Sequence, residues 1–317
     1  MDDARHPADA LTPAPGAADA AQAGAAATIT VVSEPSQHGA SPLWHPDEQA
    51  LYWCDTAGRA LHRLDPFSDA RACWSFDTDV ACCVPAVGGG LLLALRSGIW
   101  HFDPDGGGRT RLARPPYDPA RERYGDGKAD AHGRVWCGTL DAQGRPRAAL
   151  YRTSRGRTLR EADGFVTPAG LAWSPDARTL YVADSVARTV HAFDFDLGYG
   201  RRLLNDKRVF ATFALPGGGS PGGAAVDTEG CYWVAMRDGA RLLRLAPDGR
   251  NVGEVRLPVR CPTALCFGGT DLRTIYVTTA SGTAAADGAS ARGQSDGCVL
   301  SLRVEVPGLQ ANFARRD

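Results

Sequence analysis

The chain has 317 residues, of which 44% are hydrophobic and 22% are charged, and its 37 glycines and 21 prolines indicate a folded chain with many turns. Its net charge is −1, and only two of its 35 basic residues are lysines, so no basic face for a nucleic acid or an anionic membrane is visible. No apolar run approaches the roughly 18 residues that suggest a membrane-spanning helix, so we expect a soluble protein.

The first 27 residues are rich in Ala and Pro and have neither the basic start nor the apolar core of a secretory signal. We predict a disordered leader over residues 1–27, one folded domain over residues 28–305 and a C-terminal tail over residues 306–317. The domain begins with Thr28–Val32, a β-branched run that is typical of a strand. The last apolar run, Cys298–Val304, alternates between apolar and polar residues and is the natural partner of that first strand.

A two-strand unit recurs along the domain, and Thr167–Asp184 shows it most clearly. An apolar run, Gly170–Trp173, precedes a turn at Ser174-Pro175-Asp176, where Pro presets the backbone angle φ and Asp bonds back to the backbone. The β-branched and aromatic run Thr179–Ala183 then favours a second strand, antiparallel to the first.

Six such units follow one another at a spacing of roughly 40 to 50 residues, which is typical of propeller blades. Each carries a large apolar anchor on its second strand, and these anchors are Trp53, Leu93, Trp136, Tyr181, Trp233 and Tyr276. The sequence therefore predicts an all-β fold, a six-bladed β-propeller of four-stranded antiparallel blades, in which the first and last strands close the ring. A two-sheet sandwich would accept the same number of strands, but the near-regular period argues against it.

The cysteines indicate a reducing compartment. Four of the nine fall within predicted strands, and these are Cys54, Cys137, Cys231 and Cys266. A free cysteine in such a position acts as a small buried hydrophobe. The adjacent Cys82 and Cys83 lack the paired C-x₂-C spacing of a zinc site. We therefore expect reduced cysteines and a cytoplasmic location.

Two motif matches overlap in one glycine-rich stretch. Gly218, Ser220 and Gly222 match the G-x-S-x-G pattern of a nucleophile elbow, and a G-x-G-x-x-G match begins at Gly217. Both motifs require a helix after the turn, whereas a predicted β-hairpin follows here. A glycine-rich loop is our preferred interpretation.

Three polar residues are candidates for a pocket. Arg123 could bind an oxygen-rich ligand through paired N–H donors, with an exposed loop arginine as the alternative. His38 precedes the first inner strand and could face a central pocket, although we favour a surface loop for an unpaired histidine. Asp126 lies in Gly125-Asp126-Gly127, which is also a common turn sequence.

Several groups of residues occur in a specific order: Ser41-Pro42-Leu43-Trp44 with Tyr52-Trp53-Cys54-Asp55, Asp126-Gly127-Lys128 with Gly138-Thr139-Leu140, Gly170-Leu171-Ala172-Trp173 with Tyr181-Val182-Ala183-Asp184, and Phe267-Gly268-Gly269 with Tyr276-Val277-Thr278. Together, over about residues 30 to 304, they resemble the regucalcin and gluconolactonase (senescence marker protein) family of lactonase-type β-propellers. The resemblance implies a six-bladed β-propeller that hydrolyses a sugar lactone to its aldonic acid. It also implies one divalent cation, Ca²⁺ or Zn²⁺, at the centre of the ring.

The resemblance implies that this cation is held by one Glu, two Asn and one Asp on different blades, but this chain differs at all four positions. The Glu position is Ala40, the two Asn positions are Gly125 and Ala169, and the Asp position is Gly222, where the family also has its presumed general base. A further acidic substrate contact would fall near Gln143, which is not acidic either.

The replacements remove every side-chain oxygen from those four positions. Ca²⁺ takes about six to eight oxygen ligands and Mg²⁺ about six, so we expect no metal cofactor in this chain as it stands. Without the ion nothing polarises the lactone carbonyl, and without the Asp no base of the family's kind remains.

Three hypotheses follow for the function. In the first, the ancestral lactone hydrolysis is lost or greatly reduced, and in the second the protein is a non-catalytic module that binds a sugar lactone or sugar acid, with Trp173 near the ligand. We predict Arg123, Tyr124 and Asp126 as substrate-binding residues. The third hypothesis moves the metal to residues such as His38 and Asp126, but it needs at least three ligands.

The predicted partner is a small molecule, not a nucleic acid or a membrane, and the sequence leaves the oligomeric state open.

Overall fold

The computed structural model describes residues 28–316, apart from 199, 201, 215–217 and 283–292. The predicted leader over residues 1–27 lies outside the described residues. The described part of the chain forms β-strands and no helix. The strands are β1 (Ile29–Val31), β2 (Gly39–His45), β3 (Ala50–Asp55), β4 (Ala60–Leu64), β5 (Arg71–Ser75), β6 (Val80–Pro85), β7 (Leu91–Leu95), β8 (Gly98–Phe102), β9 (Arg109–Ala113), β10 (Glu122–Ala129), β11 (Val135–Asp141), β12 (Ala148–Ser154), β13 (Arg157–Phe165), β14 (Pro168–Trp173), β15 (Thr179–Asp184), β16 (Thr189–Phe195), β17 (Leu204–Thr212), β18 (Ser220–Val226), β19 (Tyr232–Arg237), β20 (Arg241–Leu245), β21 (Asn251–Arg256), β22 (Pro262–Gly268), β23 (Thr274–Thr279) and β24 (Leu300–Arg303).

These strands form six four-stranded antiparallel sheets, which we number as blades in chain order. Blade 1 contains β2 to β5, blade 2 β6 to β9, blade 3 β10 to β13, blade 4 β14 to β17 and blade 5 β18 to β21, while blade 6 combines β22, β23 and β24 with β1. The first strand of each of blades 1 to 6 packs against the first strands of both neighbouring blades, so the six inner strands form a closed ring. The predicted six-bladed β-propeller is confirmed, and the two-sheet sandwich is excluded.

The ring is closed by the pairing of the first strand with the last. β1 runs antiparallel to β24, with Ile29 opposite Leu302 and Val31 opposite Leu300. Without β1, β24 would present an unpaired row of N–H and C=O groups at the edge of blade 6. The predicted partnership between the two ends of the domain is therefore confirmed.

Local turn chemistry and side-chain packing both support the repeated unit. In the hairpin of β14 and β15, the Asp176 carboxylate accepts hydrogen bonds from the Arg178 N–H at 3.0 Å and the Ser174 hydroxyl at 2.6 Å. The six predicted anchors are all buried and pack between adjacent blades, and they are Trp53, Leu93, Trp136, Tyr181, Trp233 and Tyr276. The core is thus distributed around the ring between the blades.

The C-terminal segment crosses the face at which the inner strands end, which we name the lower face. The Leu309 N–H donates to the Val226 carbonyl of blade 5 at 3.1 Å, and the Ala314 N–H donates to the Pro85 carbonyl of blade 2 at 2.7 Å. Gly308 passes so close to the Phe267 ring that any Cβ there would collide with it, so only glycine fits. The predicted tail therefore includes a strap across the lower face.

All nine cysteines are unpaired, and eight of them are buried. The four predicted strand cysteines, Cys54, Cys137, Cys231 and Cys266, are among the buried ones. In the described part of the chain, no helix is long and apolar enough to cross a membrane.

We expect ring closure to contribute directly to stability. Leu302→Ala removes a side chain that is 2% exposed and packs in the core between blades 5 and 6, and it should lower the free energy of unfolding by about 2 to 5 kcal/mol. Leu159→Ala is the matched control, because Leu159 is 49% exposed and should cost no more than about 0.5 kcal/mol. Urea denaturation measures the loss of stability in both variants. Equally small losses would contradict tight packing of β24 at the ring closure.

Candidate functional site

A cavity of about 700 Å³ lies at the face where the inner strands begin, which we name the upper face. Every blade contributes to the wall of this upper cavity. One wall residue from each inner strand is, in blade order, Ala40, Ala81, Gly125, Ala169, Gly222 and Thr263. The upper cavity is therefore the point at which all six blades meet, and it is our candidate site.

A smaller cavity of about 310 Å³ lies on the other side of the same channel. Its walls are largely apolar and include Trp44, Trp173 and Phe267, and the strap covers it with Leu309 and its neighbours. Ser41, Asp126, Gly223 and Ala264 line both cavities and form the floor between them. Trp173, which we expected near a bound ligand, lines this lower cavity and not the upper one.

Each inner strand changes register with its neighbour near the upper face. In blades 1, 3, 4 and 5 the shifts fall between Ala40 and Leu43, Tyr124 and Gly127, Ala169 and Ala172, and Pro221 and Ala224. A β-bulge bends the strand and re-aims side chains, and bulges are frequent beside active sites. The four positions that the family resemblance assigns to metal ligands all lie at or inside these shifts.

Two carboxylates fix the path of the chain into the inner strands of blades 1 and 4. Asp55, the last residue of β3, accepts a hydrogen bond from the His38 N–H at 2.9 Å. Asp184, the last residue of β15, accepts one from the Thr167 N–H at 3.1 Å. These bonds hold the segments that lead to Ala40 and Ala169.

Gly170 explains why the apolar run beside Ala169 contains a glycine. Its φ is 61°, in the left-handed region that side chains disfavour, and its carbonyl accepts a hydrogen bond from the Tyr232 hydroxyl at 2.8 Å. A Cβ there would lie 2.5 Å from that hydroxyl oxygen and 2.6 Å from the Gly222 carbonyl oxygen. The backbones of blades 4 and 5 therefore meet at this glycine.

The residues present do not fit a divalent cation of the family's kind. Ala40, Gly125, Ala169 and Gly222 converge on the upper cavity, but none has a side-chain donor. Among the described residues, no group of three or more His, Cys, Asp and Glu side chains could hold a metal ion. His38, Asp126 and Asp141 all line the cavity, but in the described part of the chain no three side chains of this kind come close enough together to hold a metal ion, so the relocated metal site is not formed there.

The two glycines differ in the space around them. A Cβ on Gly125 would meet only the Leu140 side chain, whose Cγ would lie 3.2 Å away. A Cβ on Gly222 would collide with the Thr263 backbone carbonyl and lie 3.3 Å from the Cγ of Arg237. The first position is open to a side chain, whereas the second requires the backbone of β22 to move.

The structure brings two of the three predicted substrate-binding residues to the cavity. Arg123 and Asp126 line it. Tyr124 is fully buried instead and packs edge-on against Tyr117, with ring centroids 5.0 Å apart, in the core between blades 2 and 3. Tyr124 is not a wall residue, because its side chain points from β10 into this core and away from that of Arg123. Gln143, near which we expected a further contact, is not a wall residue either.

Asp126 lies on the floor of the cavity with both carboxylate oxygens engaged. Oδ1 accepts the Gly127 N–H at 2.9 Å and Oδ2 accepts the Leu171 N–H at 3.2 Å. Burial raises the pKa of Asp126, while the Lys128 ammonium partly opposes that rise. Burial also lowers the pKa of Lys128, which donates to the Ala224 carbonyl at 2.5 Å. Asp126 therefore joins the inner strands of blades 3 and 4.

His38 lines the upper cavity, so our preferred interpretation of a surface loop was wrong. Burial lowers its pKa to about 4, and the positive charges of Arg237 and Arg123 add to this effect, while Asp55 opposes it. The imidazole is therefore neutral at physiological pH.

Two further arginines line the cavity, and the sequence reasoning missed both. Arg237 is the last residue of β19, and Arg188 lies in the turn between β15 and β16. In an antiparallel pair, the end of the second strand lies beside the start of the inner strand. An arginine just after a predicted second strand was therefore the signal that could have found them.

The nucleophile elbow is not formed. Ser220 begins β18, which pairs with β19 as a hairpin, and no helix follows it among the described residues. Gly217, where the G-x-G-x-x-G match begins, lies outside the described residues. Ser220 is a wall residue of the upper cavity.

The two glycine positions should respond differently to one added methyl group. We expect Gly222→Ala to lower the free energy of unfolding by about 1 to 3 kcal/mol, because its Cβ collides with backbone. Gly125→Ala is the matched control and should change it by no more than about 0.5 kcal/mol, because the Leu140 side chain can move. Urea denaturation measures the free energy of unfolding of both variants. Equal values would show that the backbone of β22 moves at little cost.

His38 should make the fold acid-sensitive. Its pKa is lowered from 6.5 to about 4 in the folded state, so the unfolded state takes up the proton first as the pH falls. Stability should therefore be lost between pH 6.5 and about 4, and the His38→Gln variant should lose less over that interval. The test compares urea unfolding of both proteins across this range. Parallel pH profiles for the two proteins would count against a buried neutral imidazole.

Comparisons with known proteins agree with this architecture. The model of the SMP-30/gluconolactonase/LRE-like region matches residues 38–281. The chain is 38% identical over 280 residues to 6-deoxy-6-sulfogluconolactonase of Pseudomonas putida, covering 88% of this chain and 95% of that protein. It is 33% identical over 294 residues to the pentonolactonase XacC of Haloferax volcanii, covering 89% and 96%. The crystal structure of regucalcin, a calcium-binding protein from Agrobacterium tumefaciens, matches with a TM-score of 0.83 at 23% identity, covering 92% of this chain and 97% of that one. The chain therefore belongs to the SMP-30/gluconolactonase/LRE-like family.

Proposed function

We propose that this protein binds a sugar lactone or the corresponding aldonic acid in the upper cavity, and that the family's metal-dependent hydrolysis is lost or greatly reduced in it. One observation carries the proposal. Ala40, Gly125, Ala169 and Gly222 come from four blades to one cavity and supply no side-chain oxygen. The cavity is retained, while the chemistry that would hold a divalent cation is not.

The ligand class is supported by the cavity and by the relatives. A volume of about 700 Å³ is within the usual range for small-molecule sites, which is about 300 to 1,000 Å³. Thr56, Ser185 and Ser220 offer hydroxyl groups in its wall, and Arg123 offers a guanidinium group. Such groups suit a polyhydroxylated ligand. The names of two relatives, a 6-deoxy-6-sulfogluconolactonase and a pentonolactonase, point to the same class.

The remaining side chains do not replace the missing base. An imidazole whose pKa is about 4 is a weak base at neutral pH, where an effective general base has a pKa near the working pH. Both oxygens of Asp126 already accept backbone N–H groups. His38 is therefore a poor proton acceptor for water attack on a lactone, and Asp126 holds the inner strands of blades 3 and 4 together.

The proposal includes a cytoplasmic location and a small-molecule partner. Nine unpaired cysteines, eight of them buried, suit a reducing compartment.

We expect the purified protein to contain no stoichiometric divalent metal and to leave the hydrolysis of D-glucono-δ-lactone at its spontaneous rate when Ca²⁺, Zn²⁺ or Mn²⁺ is added. Gluconate or the lactone should nevertheless raise the Tm, because a ligand that binds only the folded state stabilises it. Elemental analysis, a lactonase assay and thermal denaturation measure the three results.

Variants supply the positive control. The variant with Ala40→Glu, Gly125→Asn, Ala169→Asn and Gly222→Asp together should regain both bound metal and turnover. The same variant without Gly222→Asp should have less of both, because it lacks one ligand and the presumed base. Stoichiometric metal with turnover in the unaltered protein would overturn the loss of hydrolysis. The absence of any stabilisation by a sugar acid or lactone would overturn the proposed binding.

A further inference from the structure

Three arginines from three consecutive blades surround one side of the upper cavity. Arg123 comes from β10 of blade 3, Arg188 from the turn after β15 of blade 4, and Arg237 from the end of β19 of blade 5. The four family ligand positions in the same wall carry no charge. The cavity wall therefore has positively charged side chains but no side-chain ligands at the positions where the family binds its metal ion.

Among the residues that the structure describes, none of the three guanidinium groups has a carboxylate of its own. Arg188 donates from Nη1 to the Gly219 carbonyl at 2.8 Å, which holds the side chain in place but leaves its charge unbalanced. Arg237 makes no side-chain hydrogen bond or ion pair with any residue that the structure describes. The nearest carboxylate to Arg123 is Asp79 at 3.8 Å, and Asp79 already pairs with Arg96 at 2.7 Å.

The two carboxylates in the wall do not cancel this charge. Asp141 pairs with Arg145, which is not a wall residue, at 3.0 Å. Asp126 accepts two backbone N–H groups and lies above Lys128, the nearest positive charge to it. Each acidic wall residue thus has its own partner, and the arginines keep an excess of positive charge.

His38 lies in the same wall and responds to the charge of two of these arginines. Burial is the main cause of its lowered pKa, and the next two causes are the charges of Arg237 and Arg123. Both arginines therefore add to the cost of placing a further positive charge on the imidazole.

We propose that Arg188 and Arg237 form an anion subsite between blades 4 and 5, which takes an oxyanion substituent (sulfonate, sulfate, phosphate or carboxylate) of an acidic sugar lactone or sugar acid. The inference rests on the proposed function, because it names the substrate class for the same cavity. A guanidinium group presents planar paired donors that match the geometry of such oxyanions. The Gly219 carbonyl orients one guanidinium in advance, and the unpaired Arg237 gives up no partner when the ligand binds.

Isothermal titration calorimetry with four ligands tests the subsite. Glucose 6-phosphate carries the oxyanion and glucose does not, while gluconate carries a carboxylate at the other end and inorganic phosphate carries no sugar. We expect glucose 6-phosphate or gluconate to bind at least about tenfold more tightly than glucose, and this preference to shrink at high ionic strength.

Substitutions assign the preference to the two arginines. Arg188→Gln and Arg237→Gln should each weaken binding of the preferred anionic sugar by about 10- to 100-fold and leave glucose binding unchanged. Arg256→Gln is the matched control, because this arginine is also in blade 5 but its side chain is 87% exposed on β21. Thermal denaturation without ligand shows that each variant is folded.

The outcomes separate the two proposals. If no sugar binds, charged or neutral, the proposed function fails. The anion subsite is refuted, while the proposed function stands, if glucose binds as tightly as the anionic sugars. It is also refuted if both arginine variants prefer anionic sugars over glucose as strongly as Arg256→Gln does. Binding of inorganic phosphate alone, with no contribution from the sugar, would also overturn it.

Discussion

The pairing of β1 with β24 is the interaction on which the site depends. It completes a ring in which every inner strand lies between two others, so that the beginnings of all six converge on the upper cavity. Residues far apart in the chain become neighbours there, as when the Thr263 hydroxyl donates to the Gly39 carbonyl at 2.6 Å. If the closure opened, blades 1 and 6 would separate at that bond, and the cavity would lose its wall. Stability and binding therefore depend on the same contact.

The ring brings side chains from all six blades to one cavity. The charged groups among them determine whether that cavity can hydrolyse a ligand or only bind it. A divalent cation can polarise a carbonyl and lower the pKa of bound water. Arginine remains protonated and only donates hydrogen bonds, so it can hold an oxyanion but cannot supply the attacking water or accept its proton. A cavity that has arginines and no side-chain oxygen at the family's four ligand positions is consequently suited to retaining an acidic sugar. Binding and hydrolysis are separable in this fold because the family's ligand positions lie on the inner strands, whereas Arg188 and Arg237 lie at or after the ends of second strands.

The sequence predicted the fold well because short sequence patterns determine each hairpin of it. Each hairpin has its own turn residues, and each anchor, such as Trp136 or Trp233, is buried within two neighbouring blades. The site was only partly predictable. Arg188 and Arg237 reach the cavity because the ring brings the ends of second strands to the upper face, so their positions after those strands become informative only together with the ring geometry. Tyr124 adjoins a family motif in sequence, yet strand alternation directs it into the core.

Gly222 and Arg237 lie close together. This links the missing carboxylate at position 222 to the unpaired guanidinium group of Arg237. A Cβ at Gly222 would lie 3.3 Å from the Cγ of Arg237, so a carboxylate at this position would stand beside the arginine. Such a carboxylate would balance the guanidinium charge within the protein, as Asp141 does for Arg145. Glycine leaves that charge to be balanced from outside. An oxyanion on a bound sugar supplies the negative charge that the side chain at position 222 does not, and the ligand then completes an ion pair that the folded chain lacks on its own.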